Sequence, residues 1–83
     1  MIFKVILNKE IHIIKSTDKP TLAELKKFLP NYFKKLPQKY ILSYLDEDSD
    51  EIVLNDQYDY EILLGSGAKT VKINIKENNE DFM

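Results

Sequence analysis

The sequence predicts an α+β domain, one mixed sheet packed on a helix in the order ββαββαβ, and three observations support this. Period-two alternation recurs at the start, middle and end of the chain, a helix-start signature stands between the second and third alternating segments, and a glycine-bearing break precedes the last.

The elements follow in order. Phe3, Val5 and Leu7 alternate with Ile2, Lys4 and Ile6, the pattern of a strand with one face on a core, so Lys4 points away from that core. Asn8, Lys9 and Glu10 turn the chain, and residues 11–15 return as a second strand whose consecutive isoleucines leave its inward face open. Thr21 and Glu24 form a capping box: the Thr21 hydroxyl bonds the Glu24 amide while the Glu24 carboxylate reaches back to the Thr21 amide. A helix starts there, with Leu22, Leu25 and Leu29 on one face. Pro30 is expected to keep it from continuing regularly, leaving 31–37 as an irregular turn with Tyr32 or Phe33 tucked in.

Tyr40, Leu42 and Tyr44 alternate with Ile41, Ser43 and Leu45, a third strand that runs into the acidic segment Asp46, Glu47, Asp48, Ser49, Asp50. Ile52, Val53 and Leu54 form a short fourth strand. Asn55 and Asp56 then offer an N-cap for a second helix over 57–64, with Asp59 a favourable charge in its first turn. Gly65, Ser66 and Gly67 end that helix through a left-handed glycine cap. Val71, Ile73 and Ile75 alternate with polar neighbours as a closing strand able to pair centrally, and 78–83 reads as a flexible tail behind a single domain over 1–77. Two hairpins flanking a helix, closed by a central strand, give the ubiquitin-like β-grasp order.

Composition narrows the function. Twelve Lys and Arg against fourteen Asp and Glu leave a net charge of −2, too balanced for a chain whose affinity comes from neutralising phosphates, so nucleic acid is not the expected partner. The charges are segregated: lysines crowd 26–39 and acids crowd 46–61. The chain has no cysteine, which removes disulfides, thiolate zinc sites and cysteine nucleophiles together. No apolar run is long enough to cross a bilayer, so no membrane association is expected, and the strand-like start lacks the pattern of a secretory signal. The expectation is a cytoplasmic domain.

Asp46, Asp48 and Asp50 also match the opening of a calcium-binding loop, but Glu51 stands where that loop needs glycine and Gln57 where it needs a bidentate glutamate. The lone His12 has no histidine or cysteine to complete a metal site and reads as a sheet-surface residue. Tyr40, Tyr44 and Tyr60 fall on faces expected to pack, and Tyr58 is expected to be exposed. With no phosphate loop, nucleophile–base pair or metal triad visible, no enzyme activity, cofactor or metal is expected.

The acidic segment, the short strand after it, and Asp56, Gln57, Tyr58, Asp59, Tyr60 and Glu61 resemble the acidic (OPCA) motif of the Phox/Bem-one (PB-one) domains in spacing as well as composition. In that family a strand tyrosine leads into an acidic turn, a short strand follows, and a further acidic position precedes a helix. This chain departs from the pattern at Ser49, where glycine is usual.

The resemblance implies a noncovalent protein-interaction module, the excerpted terminal domain of a larger scaffold or signalling protein, whose Asp46, Glu47, Asp48, Asp50, Asp59 and Glu61 dock on the lysine-bearing face of a partner of the same family. Lys4 occupies the first-strand position of the family's partner-binding lysine. On the second strand, where members with a basic face carry arginine, this chain has His12 and Lys15, neither of which supplies a planar fork. Front-to-back self-association, giving a homo-oligomer, needs both faces. The alternative is a generic ubiquitin-like binding domain that uses a hydrophobic sheet surface around Ile2 and Ile6. A conjugated modifier, which resembles ubiquitin in ending on Gly-Gly, fits less well with Asp81, Phe82 and Met83 at the end of the sequence.

Overall fold

The computed structural model describes residues 1–16, 18–65, 67 and 69–78. Its elements are β1 (Ile2–Leu7), β2 (Glu10–Lys15), α1 (Leu22–Tyr32), β3 (Tyr40–Leu45), β4 (Glu51–Val53), α2 (Gln57–Leu64) and β5 (Thr70–Glu77). They form a five-stranded sheet in the order β2-β1-β5-β3-β4. The closing strand lies in the middle, parallel to β1 and antiparallel to β3, the mixed β-grasp sheet expected from the sequence. No helix among the described residues is long and apolar enough to cross a membrane.

Strand alternation divides the sheet into two faces. Phe3, Val5 and Leu7 of β1, Leu42 of β3, and Val71, Ile73 and Ile75 of β5 are buried with Leu22, Leu25 and Leu29 of α1. The inward face of β2 belongs to Ile14, paired with Phe3, while Ile11 and Ile13 point outward beside Ile6 and Lys4. His12 lies on the inward side rather than the outer sheet surface. Its ring meets Phe33 edge-on at 4.7 Å and its Nε2 lies 2.6 Å from Glu10 Oε2. α2 shares the core: Tyr60 is fully buried, stacks near Phe3 and donates its hydroxyl to the Pro20 carbonyl at 2.8 Å. Burial, and then the nearby Glu24 charge, pushes that phenol up to about 12.

The capping box of α1 is formed as expected, with Glu24 N donating to Thr21 Oγ1 and Thr21 N to Glu24 Oε1. The backbone bond from Thr21, followed by its hydroxyl, lowers the Glu24 carboxyl below its ordinary range. Pro30 does not stop the helix, which runs on to Tyr32. Its missing N–H falls opposite the exposed Lys26, where solvent can take its place, and the next turn closes through Phe33 N to Leu29 O at 2.9 Å. Phe33 is the residue tucked in, and Tyr32 stays partly exposed.

Two further local expectations are adjusted. Gly65 caps α2 in a right-handed conformation, φ −72°, and the left-handed glycine is Gly67 at φ 80°; Ser66 lies outside the described residues. β4 begins one residue earlier than alternation suggested, at Glu51, and Leu54 N bonds Leu42 O at 2.7 Å just beyond its end. Of the expected tail, Asn78 donates its amide to Lys39 O, and 79–83 lie outside the described residues.

Candidate functional site

The acidic turn leaves β3 after Leu45 and returns at Glu51, which sits opposite Leu45 in the ladder. Asp46 organises it. Its Oδ1 accepts the amides of Asp48 and Asp50, both at 2.9 Å, its own amide donates to Asp50 O, and its carbonyl accepts the Ser49 amide. Ser49 sits at φ 65°, the left-handed conformation that favours glycine. The serine therefore adopts the backbone that the usual glycine would, held there by bonds to Asp46.

The consequence is convergence. Carboxylate oxygens of Asp46, Asp48 and Asp50 lie within 4.8 Å of one another, with Asp46 partly buried and the other two exposed. Like charges at this spacing repel, and a cation brought among them relieves that repulsion. Glu47 lines the same groove as Asp46 and Asp48. Asp59 and Glu61 stand on α2. The Asp59 carboxylate is turned back on the Asn55 amide at 3.1 Å, while Asp56 caps the helix through the Asp59 amide at 3.0 Å. Asp59 is thus partly occupied in fixing the start of the helix, whereas Glu61 is exposed.

Glu51, absent from the expected site, closes the back of the turn. It accepts the Ser43 hydroxyl at 2.8 Å and pairs with Lys76, tying β4 to β3 and β5 on the outer face. The Lys76 bond, then the Ser43 bond, lowers its carboxyl below the ordinary range.

At the other end of the sheet Lys4 lies on the outer face with Ile13 beside it on β2, and Lys15 is exposed opposite Ile2. The parallel register adds Lys72 of β5 directly beside Lys4. Lys72 could have been found in the sequence by pairing the closing strand with the first. Neither Lys4, Lys15 nor Lys72 forms an ion pair among the described residues.

The strand ends of β3 and β5 border a groove of about 560 Å³ beside the acidic turn, lined by Leu45, Asp46, Ile62, Leu63, Val71 and Lys72 among others. Leu45 and Ile62 are exposed apolar side chains that sequence reasoning passed over. Alternation places Leu45 on the outer face, but only the structure puts Ile62 on the same groove.

No curated protein matches. Eleven solved chains do. One, described as the "AtNBR1-PB1 domain", is 20% identical, covers 94% of this chain and 97% of its own, and superposes with a TM-score of 0.80. At that identity the likeness speaks for the fold. The family model for the PB1 domain matches residues 1–78, nearly the whole chain. The chain therefore belongs to the PB1 domain family, whose members are protein–protein interaction modules that typically bind other PB1 domains.

Proposed function

We propose that this PB1 domain is of the acidic type and docks Asp46, Glu47, Asp48, Asp50, Asp59 and Glu61 onto the lysine-bearing face of another PB1 domain. The observation that carries the reading is the convergence of Asp46, Asp48 and Asp50 on one side of a turn that Asp46 itself holds in shape. A turn backbone fixed before the partner arrives needs little reordering on binding, which is where preorganisation gains affinity. Close charge pairs desolvated by a partner couple by roughly 1.5 to 7 kcal/mol, whereas pairs left in solvent contribute about 0 to 1 kcal/mol. A few carboxylates therefore dominate, with steep salt dependence.

Titration of this chain into a PB1 domain with a lysine on its first strand tests the reading, at low and high salt, for the wild type and Asp48→Ala. Binding that weakens with salt and falls about tenfold or more in Asp48→Ala is expected. Binding indifferent to both would reject the acidic face. A second reading rests on Ile11 and Ile13, which leave the sheet's outer face apolar at β2. It assigns recognition to that surface alone, and it would be favoured if Ile13→Ser, but not Asp48→Ala, abolished binding.

A further inference from the structure

The two edges of the sheet are built differently. β4 is three residues long and its Glu51 is tied inward to Ser43 and Lys76, so that edge offers little to pair with. β2 is six residues long and runs beside β1 without a bulge from Glu10 to Lys15. The phase of its ladder is set by Met1 and Ser16, which exchange both backbone bonds: the Met1 ammonium donates to Ser16 O at 2.6 Å and the Ser16 amide to Met1 O at 2.9 Å. Antiparallel alternation then turns the amides and carbonyls of Ile14, His12 and Glu10 toward β1, and those of Ile11, Ile13 and Lys15 away from it. The outward set has no hydrogen-bond partner among the described residues. Native edges are commonly blunted by proline, charge or a bulge. Between Glu10 and Lys15 this one carries only Ile11, His12, Ile13 and Ile14, with Ile11 51% and Ile13 50% exposed.

We propose that the free edge of β2 is a strand-addition site for an extended, apolar and acidic segment of a partner protein. Backbone bonds to Ile11, Ile13 and Lys15 hold the segment, its apolar side chains lie beside Ile11 and Ile13 on the outer face, and its acids meet Lys15. The sign of the occupant follows from the lysines around the edge. Lys15 lies on it, and Lys34 and Lys35 follow directly on Phe33, whose ring meets that of His12 at 4.7 Å on the inner side of the strand. All three lysines are exposed and without an ion pair among the described residues. Glu10, the one acid on the strand, is taken up by His12 Nε2 at 2.6 Å, so the partner's acids belong at the Lys15 end. The crowd of lysines over 26–39, to which acidic docking gives no role, thereby enters a contact in part. A second copy brings the same lysines to its own β2 edge, where like charges meet. The site does not rest on acidic docking: the acidic turn belongs to the opposite half of the sheet, and an added strand lies two strand spacings, about 10 Å, from Lys4.

The probe is a short peptide, blocked at both ends, that alternates valine with threonine and finishes in glutamates, and the readout is amide hydrogen exchange. With the peptide at about ten times its Kd, the Ile11, Ile13 and Lys15 amides should exchange about tenfold more slowly, while those of His12 and Ile14, already bonded to β1, should not change. Ile13→Pro removes an outward N–H where an edge strand tolerates proline and should abolish binding, whereas Ile13→Val keeps the N–H and should bind as the wild type does. Lys15→Glu should weaken binding about tenfold at low salt, and Asp48→Ala should leave it unchanged. Should Ile13→Pro unfold, a fully N-methylated peptide makes the same test on the wild type and should fail to bind. Unslowed exchange at the three amides, or a folded Ile13→Pro that binds normally, overturns strand addition. Equal slowing by a peptide that finishes in lysines overturns the acidic occupant. Slowing without peptide that grows with protein concentration makes a second copy the occupant and overturns the partner segment.

Discussion

At the β3–β4 end of the sheet the backbone of the acidic turn is held by one carboxylate, that of Asp46, whereas at the β1–β2 end the lysines are tethered only by their own stems. Asp46 accepts the amides of Asp48 and Asp50, and Asp59 accepts that of Asn55. Lys4 and Lys15 have no ion-pair partner among the described residues, and Lys72, on the central strand, lines the groove beside the acidic turn. Ordering a long side chain on binding costs roughly 0.5 to 1.5 kcal/mol, so in the docking proposed above the entropic cost falls mainly on the lysine-bearing partner. An acidic surface of this kind behaves as a rigid socket and a lysine surface as an adaptable plug. Affinity differences among partners should then follow how well their cations are arranged.

Asp46→Ala breaks this contrast most severely, because it removes a charge and the acceptor of two turn amides at once. Bonds to a charged acceptor contribute roughly 1.5 to 3 kcal/mol, less where water competes, so a loss of about 1 to 2 kcal/mol is expected. For a domain of this size each kcal/mol lowers the melting temperature by roughly 4 to 8 °C. Thermal unfolding should show that drop, and titration a loss of affinity greater than for any other single carboxylate. A variant melting with the wild type would mean that the turn holds its shape without Asp46.

Asp48→Ala separates charge from shape. Its side chain accepts no hydrogen bond among the described residues, so stability should stay within about 0.5 kcal/mol while affinity falls about tenfold. The socket is then intact and short of one charge. Equal melting temperatures with unequal affinities are the signature; a melting temperature that falls as far as that of Asp46→Ala would show that the two carboxylates support the turn together.

Tyr60→Phe probes the support beneath the acidic end, since the hydroxyl moors α2 to Pro20. Losing that bond should cost about 1 kcal/mol, read by denaturant unfolding. The phenol also carries a pH signature. Its folded value of about 12 exceeds the ordinary 10, so the folded state keeps a proton that the unfolded state has released in between. Stability from this group is complete below pH 10 and is lost as pH rises to about 12. The phenylalanine variant should show a flatter fall over that window, and identical slopes would place the alkaline loss elsewhere.

The sequence made most of the fold legible because its signals were local. The period-two runs at Phe3, Val5, Leu7 and at Val71, Ile73, Ile75, and the Thr21–Glu24 box, each need only neighbours to act. Errors came where tertiary context overrides local preference: Pro30 is tolerated inside α1 because its missing bond lies on the exposed side, and Gly65 caps α2 in a right-handed conformation, the positive φ falling at Gly67 instead. His12 was misplaced because adjacent isoleucines do not say which of them faces in, and only pairing with Val5 settles it. The acidic run was legible as composition, yet its convergence on Asp46 required the turn. Lys72 and Ile62 were missed because their neighbours lie far along the chain.

Ser49→Gly is the smallest change and the finest test of how the socket is held. At φ 65° an L-residue is disfavoured by roughly 1 to 2 kcal/mol relative to glycine, while glycine gives back about 0.5 to 1 kcal/mol through the freedom of its unfolded chain. The net expectation is a gain of about 0.5 kcal/mol and a melting temperature higher by a few degrees. Ser49→Ala is the control: it keeps the strained conformation, so it should show no gain. Because Asp46 accepts the same amides in every case, affinity for a lysine-bearing partner should be unchanged in Ser49→Gly. If the glycine variant instead melts higher but binds more weakly, then serine in the left-handed position contributes to the rigidity that sets the acidic end apart from the basic one.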